Sequence, residues 1–325
     1  MDRKYRICNA MLLLMATFTV AVATHAQTYP AKPVRVISPY PPGSSADVIG
    51  RIYAPKLSEL LGRQFIVDNR AGAAGNIAGD LVAHATPDGY TLLLLNTPLV
   101  SSQPLYKDLS FDVGRDFQAI AMLGTAPHML VVNVSSPAKS VQELIALARA
   151  RPGKLTYAST GTGGSLHLTM EMFKMQSGIN LLHVPYKGSA YTVPELIGGQ
   201  VDAMFGSIPS LLPHVRSGRI RALGVSSAKR SAVVPDIPTI AESGLPGFES
   251  YTWLTLAGPA GTPRSVVMVL NTAVAKSVQS PEFGALLANQ STEPTLMTPE
   301  QTAAFIRDEI VKWKKVVVGA GVKGE

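Results

Sequence analysis

Cysteine is nearly absent from this 325-residue chain, in which Cys8 is the single thiol. Without a disulfide, the chain must be held together by its core alone. Charged residues are also scarce, at 16% of the chain, against about 25% in an average soluble domain. No basic run longer than two residues follows the amino-terminal segment, and aromatic residues are not interleaved with bases. A nucleic-acid-binding surface is therefore not predicted.

Sequence patterns typical of catalysis and of metal binding are missing as well. There is no Gly-x-Ser-x-Gly elbow, and Ser165 and His167 are two residues apart on a predicted helix, so their side chains point in different directions and cannot form a nucleophile–base pair. The histidines at 84, 128, 167, 183 and 214 show neither HxxxH nor HxH spacing, so a zinc site is unsupported. We predict a protein that is not an enzyme and has no metal and no cofactor.

The longest uncharged apolar stretch lies at the amino terminus, residues 7–23, behind a basic head formed by Arg3, Lys4 and Arg6. Thr24-His25-Ala26 has the small-x-small pattern of a signal-peptidase site, so residues 1–26 are predicted to be a signal peptide, cleaved after Ala26. The alternative, a membrane anchor, is disfavoured because the stretch is short and a polar segment follows at once. Removing residues 1–26 leaves 26 bases and 21 acids, a net charge of +5. We expect an exported protein that is soluble after cleavage.

Glycine and proline are plentiful, at 28 and 24 residues, and 46% of the chain is apolar. This composition is typical of a globular protein. Short apolar runs alternate with amphipathic ones, which predicts two β-α-β series, each with a parallel sheet covered on both faces. Strands are predicted at 34–37, 64–67, 90–95, 155–158, 181–184, 203–205 and 221–225, and helices at 47–61, 77–84, 141–150, 166–177, 193–197, 211–216, 263–280 and 299–318.

Two extended apolar passages, 120–132 and 251–257, separate the two series and the helical tail. Such passages would let the chain cross from one lobe to the other and back. The sequence predicts a two-lobed α/β protein with a hinge and a cleft. One lobe is predicted from 27–126 together with 248–325, and the other from 127–247.

The stretch SPYPPGSSADVIGR, residues 38–51, joins a predicted strand to a predicted helix. Loops after the carboxyl ends of parallel strands face the ligand crevice. Two prolines stiffen this one, Gly43 permits close approach, and Ser44, Ser45 and Asp47 are suited to capping the helix. The free amides of a helix start favour an anion, although the same residues would serve a purely structural cap.

A second turn of the same kind occurs in YASTGTGGSLHLTMEMF, residues 157–173. It again runs from a strand through a Gly/Ser/Thr turn into a helix. Two such turns, one in each lobe, would close on one small molecule from both sides. The pair is a stronger indication of a binding site than either turn alone.

Nine stretches, in order along almost the whole chain after residue 28, resemble the Bug family of periplasmic solute receptors, the binding component of tripartite tricarboxylate transporters. They are YPAKPVRVISPYPPGSSADV, NRAGAAGNIAGD, TPDGYTLLL, LTYASTGTGGSLHL, VPYKGSA, LIGGQVDAMF, SGRIRALGVSSAKR, IPTIAESGLPGFE and PAGTP.

The resemblance implies a periplasmic-binding-protein fold, type II-like, in which two α/β lobes joined by two crossing strands close like a Venus flytrap on a carboxylated solute. It implies ligands among di- and tricarboxylates, amino acids and aromatic carboxylates, and delivery of the solute to a membrane permease. We expect a monomer. The predicted ligand-binding residues are Tyr40, Pro42, Gly43, Ser44, Ser45, Ala46, Asp47, Asn96, Thr97, Ser159, Thr160, Gly161, Thr162, Gly163, Gly164, Ser165, His167, Tyr186, Lys187, Gly188, Phe205, Gly206 and Ser207.

Some of these residues have a structural alternative. Lys187 could neutralise an anion or be a solvated turn residue, and His167 could donate to a carboxylate or bond to the preceding loop. Tyr40 and Phe205 could sandwich a planar ligand or belong to the core. The GAAGN loop, residues 72–76, lacks the spacing of a dinucleotide turn, and we expect it to shape the rim of the cleft, with Asn76 as a helix cap.

The chain also departs from the family pattern. Family members commonly have Pro-Pro-Gly-Gly where this chain has Pro42-Gly43-Ser44-Ser45, and Asp-Asn where it has Gly206-Ser207. An added hydroxyl and a missing carboxylate change the pocket, so the family does not specify the ligand. An alternative function is a periplasmic sensor that passes its liganded state to a signalling receptor, since both roles use the same cleft.

Overall fold

The structure of the chain is a computed structural model that describes residues 29–106 and 109–322. The predicted signal peptide, with Cys8, lies outside the described residues. Within them, no helix is both long enough and apolar enough to span a membrane.

The first part of the chain alternates strands and helices, as its apolar periodicity predicts. The helix that follows the first strand ends where Gly62 adopts the left-handed conformation at φ 69°, which glycine does without steric cost. The elements are β1 (Val34–Ser38), α1 (Ser45–Leu61), β2 (Phe65–Asn69), a 3₁₀ turn (Ala73–Gly75), α2 (Asn76–Ala83), β3 (Thr91–Asn96), α3 (Thr97–Ser102), a second 3₁₀ turn (Gln103–Leu105) and β4 (Phe117–Asn133).

The second part repeats the alternation and then becomes mostly helical. Its first helix has the predicted bounds, because Ser140 caps the amide of Glu143 and apolar residues recur at helical spacing behind it. The elements are α4 (Val141–Ala150), β5 (Thr156–Ser159), α5 (Ser165–Ser177), β6 (Leu182–Pro185), α6 (Ser189–Ile197), β7 (Ala203–Ser207), α7 (Ile208–Arg216), β8 (Ile220–Val225), β9 (Tyr251–Pro259), α8 (Arg264–Ser277), α9 (Pro281–Ala288) and α10 (Pro299–Gly319).

The described strands form one mixed sheet in the order β2-β1-β3-β9-β4-β7-β5-β6, with β8 paired to β4. Strand β4 pairs with β9 through residues 117–127 and with β7 and β8 through residues 128–133. It therefore crosses from one half of the sheet to the other. Strand β9 enters from the second half, where the amide of Ser250 bonds to the carbonyl of Ser226. The two crossing passages predicted from the sequence are thus confirmed as β4 and β9.

Both faces of the sheet are buried, which explains why the strands are apolar without alternation. In β3, Leu92 and Leu94 pack into a cluster with α1, α8 and α9, whereas Leu93 and Leu95 pack on the opposite face. In the second half, helices α6 and α7 cover one face. The cluster on the other face runs without interruption from α2 and α10 to α4 and α5.

Three features differ from the prediction. The sheet is mixed rather than parallel, because β9 runs antiparallel to both β3 and β4. The six-residue helix α3 was not predicted. The predicted helix 263–280 ends at Ser277, and a separate helix, α9, follows where Ser280 caps the amide of Phe283.

Candidate functional site

The first loop, residues 40–47, connects β1 to α1. Ser44 is the N-cap of α1, and its hydroxyl accepts a hydrogen bond from the amide of Asp47 at 3.3 Å. Gly43 has a positive φ of 82°, a conformation that favours glycine. The side chain of Ser45 is exposed. The first helical amides, those of Ser45 and Ala46, have no partner within the helix.

The carboxylate of Asp47 is used to fix the shape of this loop. Its oxygens accept hydrogen bonds from the amide of Gly43, from Arg51 Nε and from Asn69 Nδ2, each at 2.9 Å. Burial favours a higher pKa for Asp47, but these three bonds outweigh it and hold the pKa below its usual range. The predicted site residue Asp47 therefore lies in the loop as its internal anchor, with its carboxylate committed to protein groups.

Tyr40 connects the first loop to the end of β3. Its hydroxyl lies 3.4 Å from both Asn96 Oδ1 and the carbonyl of Ala74. Burial raises the pKa of Tyr40, and the bond with Asn96 opposes this. Asn96 also caps α3 by accepting the amide of Leu99, and Thr97 bonds to the backbone of β9. The N-cap of α2 is Gly75, so the expectation that Asn76 is a cap was wrong.

The second loop, residues 159–165, connects β5 to α5. The N-cap of α5 is Gly164, and no side chain caps this helix. The amides of Ser165 and Leu166 are therefore without intrahelical partners. Thr162 is exposed and Thr160 half-buried, and within the described part of the chain neither hydroxyl makes a hydrogen bond. The second loop thus presents more uncommitted donors than the first.

Two histidines hold the second loop from below. Ser159 Oγ lies 2.6 Å from His183 Nε2 and accepts the amide of Gly161 at 3.2 Å. The amide of Gly163 donates to His167 Nδ1 at 3.0 Å. His167 is almost completely buried, and burial, followed by the neighbouring His183 and Lys174, lowers the pKa of His167 to about 3. Of the two roles open to His167, the structure has the bond to the preceding loop.

The two loops come near each other through α3. Ser101 of α3 donates to the carbonyl of Gly163 at 3.4 Å, and a Cβ added at Gly163 would be 3.0 Å from Leu105. The start of the same helix carries Asn96, which contacts Tyr40 in the first loop. A continuous series of contacts therefore connects the first loop, α3 and the second loop.

The second loop is also connected to the crossing strands. Ser165 Oγ is 3.2 Å from Thr252 Oγ1 in β9, which is 2.9 Å from His128 Nε2 in β4. His128 Nδ1 in turn lies 3.2 Å from Thr169 Oγ1 in α5. Burial, with a smaller effect of Lys312, lowers the pKa of His128 to about 3. Ser165 therefore shares one hydrogen-bonded network with both strands that join the two halves.

The remaining predicted residues lie at the ends of β6 and β7. The amide of Tyr186 bonds to the carbonyl of Ser159 at 2.9 Å, which places the segment beside the second loop. Lys187 is exposed, and Gly188, with φ 117°, is the N-cap of α6. Ser207 is exposed and lies opposite His128 in the register of β4 and β7. Gly206 is buried.

Phe205 does not face a cleft in this structure. Its side chain is fully buried, with its ring centroid 6.1 Å from that of Phe173 and 6.2 Å from that of Phe248. The strand alternates its side chains between two covered faces, and this position points into the core. Of the two interpretations of Phe205 in the sequence, the structure supports the core residue.

Several residues around the loops were not predicted to contribute: Ser101, Leu105, His128, His183 and Thr252. A signal for α3 was present, since Asn96 followed by Pro98 is typical of a helix start. His183 directly precedes the VPYKGSA stretch, but its place under Ser159 depends on the pairing of β5 with β6. Thr252 and His128 are brought together by strands more than a hundred residues apart in the chain.

The sheet has two halves joined by crossing strands, and a polar loop lies on each side of α3. These features define a two-lobed solute-binding protein. The family model described as "Tripartite tricarboxylate transporter family receptor" matches residues 49–322. The chain belongs to this family of periplasmic binding proteins, as its resemblance to the Bug receptors implies, and it has their two-lobed α/β fold.

One curated relative and two solved structures are similar to this chain over most of its length, and both of those structures hold a carboxylate. BugT of Bordetella pertussis is 38% identical over 320 residues, which are 98% of each chain. The structure of R. palustris Rpa4515 with adipate has a TM-score of 0.77 and 36% identity, and the match covers 91% of this chain and 99% of that one. MatC from Rhodopseudomonas palustris, with bound malate, has a TM-score of 0.73 and 29% identity, covering 89% and 100%.

Proposed function

We propose that this protein is a periplasmic receptor that captures a small carboxylate between its two lobes and delivers it to the permease of a tripartite tricarboxylate transporter. It binds the solute without turning it over. The lobe boundaries predicted from the sequence, the cleavable signal peptide and the monomeric state are part of this proposal. Adipate and malate in structures of relatives support a ligand with one or more carboxylates.

The observation that carries the proposal is the second loop. It combines free helix amides with the threonine hydroxyls of Thr160 and Thr162, and it touches α3, which begins beside the first loop. A hydrogen bond to a charged group is worth about 1.5–3 kcal/mol. A handful of such bonds, made from both lobes, is sufficient for micromolar binding, about 8 kcal/mol.

Closure follows from the same contacts. Bonds that form only when both loops reach the solute stabilise the closed form relative to the open one. The network through Ser165, Thr252 and His128 joins the second loop to the crossing strands. Ligand binding is therefore expected to change the relative position of the lobes, which gives a permease a surface to recognise.

A thermal-shift screen of carboxylates tests this function. Adipate, malate, citrate and benzoate should be compared, since a ligand of the native state raises the melting temperature. We expect at least one acid to raise it and to be recovered unchanged after incubation. An absence of any shift across mono-, di- and tricarboxylates would contradict the receptor function, and conversion of the acid would contradict the binding-only role.

A single substitution tests whether the second loop binds the ligand. Replacing Thr162 by alanine should weaken binding of that acid by about tenfold, because one hydrogen bond to a charged group is lost. Thr272→Ala is the matched control, since Thr272 is exposed on α8 and belongs to neither loop. Calorimetry measures both affinities. Equal affinity of the two variants would remove Thr162 from the site.

A further inference from the structure

Three nearly parallel rings lie beneath the second loop, and we refer to Tyr157, His167 and His183 as the ring cluster. The ring centroids of His167 and His183 are 4.0 Å apart, and those of Tyr157 and His183 are 4.8 Å apart, with interplanar angles of 25° and 18°. Tyr157 and His183 are paired in the register of β5 and β6. The cluster is therefore fixed by the sheet on one side and by helix α5 on the other.

Each histidine of the ring cluster bonds to one end of the glycine turn in the second loop. His183 holds Ser159, which in turn accepts the amide of Gly161. His167 accepts the amide of Gly163. Gly161 and Gly163 both have positive φ angles, 138° and 76°, so the turn is in a conformation that local sequence permits but does not enforce. The two imidazoles supply the missing constraint.

The charged groups around the ring cluster are few and paired. Glu171, on α5, accepts hydrogen bonds from the hydroxyl of Tyr157 and from Lys174, and His167 Nε2 lies 3.9 Å from the same oxygen. Burial lowers the pKa of His183, which Glu171 opposes and Lys174 reinforces. Both imidazoles are therefore neutral near pH 7, and His167 Nδ1 is an acceptor, as its bond with the amide of Gly163 requires.

We infer that His167 and His183 are positioning residues that do not touch the solute. They hold the glycine turn so that the amides at the start of α5 and the hydroxyls of Thr160 and Thr162 face the cleft. The geometry of the turn can be measured in the ligand-free protein. Its effect on ligand affinity can be measured only if the proposed function is right. The inference thus has one readout that depends on the proposed function and one that does not.

Two substitutions at position 167 separate the hydrogen bond from packing. In His167→Asn the side-chain oxygen takes a place close to that of Nδ1, so an acceptor for the amide of Gly163 remains. In His167→Phe the ring and its stacking remain, but the acceptor is lost. His84→Phe is the matched control, because His84 is exposed at the end of α2 and lies outside the ring cluster.

The first readout is amide hydrogen exchange of residues 160–165 in the ligand-free protein. We expect exchange in this segment to be at least about tenfold faster in His167→Phe, because a local hydrogen bond that protects it is lost. His167→Asn should remain close to the wild-type protein, and so should His84→Phe. If His167→Phe exchanges like the wild-type protein, the positioning role is overturned, whatever the ligand affinity.

The second readout is calorimetric affinity for adipate, with malate as a second probe. We expect binding to be weaker by about tenfold in His167→Phe and to be restored to within about threefold by His167→Asn. If exchange is faster in His167→Phe but the wild-type protein binds no acid, the proposed function is contradicted and the positioning role stands. Equal affinities of the Phe and Asn variants would overturn the role of the Nδ1 acceptor.

Discussion

At the scale of single residues, polar side chains in this protein divide into those that shape the loops and those left free. Asp47 is 2% exposed and receives three hydrogen bonds from the first loop, α1 and β2. Ser159 and His167 perform the same task in the second loop. Thr162 and Ser45 are exposed. The buried polar side chains thus fix the shape of the loops, and the exposed ones have no hydrogen-bond partner among the residues that the structure describes.

Removing the carboxylate of Asp47 should cost stability. Asp47→Ala leaves the amide of Gly43 without this acceptor, removes one acceptor of Asn69 Nδ2, and leaves Arg51 without its ion-pair partner. Since Arg51 is half-exposed and can be solvated, we expect a loss of about 2 kcal/mol rather than the 3–5 kcal/mol of a fully buried pair. Urea unfolding measures it. Asp236→Ala, at an exposed carboxylate, is the control, and equal stability of the two variants would contradict the anchoring role of Asp47.

At the scale of elements, the carboxy-terminal helix α10 is fastened to a crossing strand by one carboxylate. Glu309 Oε2 accepts the indole N–H of Trp253 in β9 at 2.6 Å and that of Trp313 in α10 at 2.7 Å. Glu309 is 4% exposed, and Lys312 pairs with its other oxygen. These are the two tryptophans of the chain, so tryptophan fluorescence reports on this contact between α10 and β9.

Glu309→Ala should weaken the contact between α10 and β9. Two buried indole N–H groups would lose their acceptor at about 1–3 kcal/mol each, so we expect a destabilisation of about 3 kcal/mol and a red shift of the emission as water reaches the indoles. Glu309→Gln retains an acceptor oxygen and should lose less. Urea unfolding followed by fluorescence measures both effects, and an alanine variant as stable as the glutamine variant would mean that the indole bonds are not what Glu309 contributes.

The elements that could be predicted are those with local signals. Helix α4 has a serine cap and helical periodicity, and its bounds were correct; β3 is an apolar run bounded by a turn and was displaced by one residue. The antiparallel pairing of β9 with β3 and β4 was not predictable. Its partners lie more than a hundred residues away, and hydrophobic periodicity indicates that a segment is a strand but not which strand it pairs with. The same limit applies to the site. Its Gly/Ser/Thr turns are visible in the sequence, whereas the imidazoles beneath them depend on the register of β5 and β6.

At the scale of the whole molecule, a buried polar network lies where the two halves of the sheet join. His128, on β4, is 2% exposed and contacts Thr252 of β9 and Thr169 of α5, while its own amide donates to Ser226 after β8. Thr169 continues to Ser250, which precedes β9. Three elements, β4, β9 and α5, thus meet at one neutral imidazole. Protonating it would put a charge at the point where the lobes are joined.

The stability of the whole molecule should therefore fall as the pH falls below about 6.5. The pKa values of His128 and His167 are about 3 in the folded protein, against about 6.5 in the unfolded chain. Between these values the unfolded state binds more protons, so the free energy of unfolding decreases with decreasing pH, by about 1.4 kcal/mol per pH unit for each histidine. The bonded carboxylates, such as Asp47, contribute only at still lower pH, because their unfolded-state pKa is about 4.

Urea unfolding at pH 7.5, 6.5, 5.5 and 4.5 measures this dependence. We expect little change between the first two values and then a decline of at least about 2–3 kcal/mol per pH unit, the sum for His128 and His167, to which His183 adds in the same direction because burial lowers its pKa as well. His128→Gln should reduce the slope by about 1.4 kcal/mol per pH unit, whatever its effect on stability at pH 7.5, because this group no longer titrates. His84→Asn, at an exposed position, should keep the full slope. If the wild-type stability does not change from pH 6.5 to 4.5, the buried imidazoles accept protons in the folded protein. In that case neither the network around His128 nor the ring cluster depends on neutral histidine.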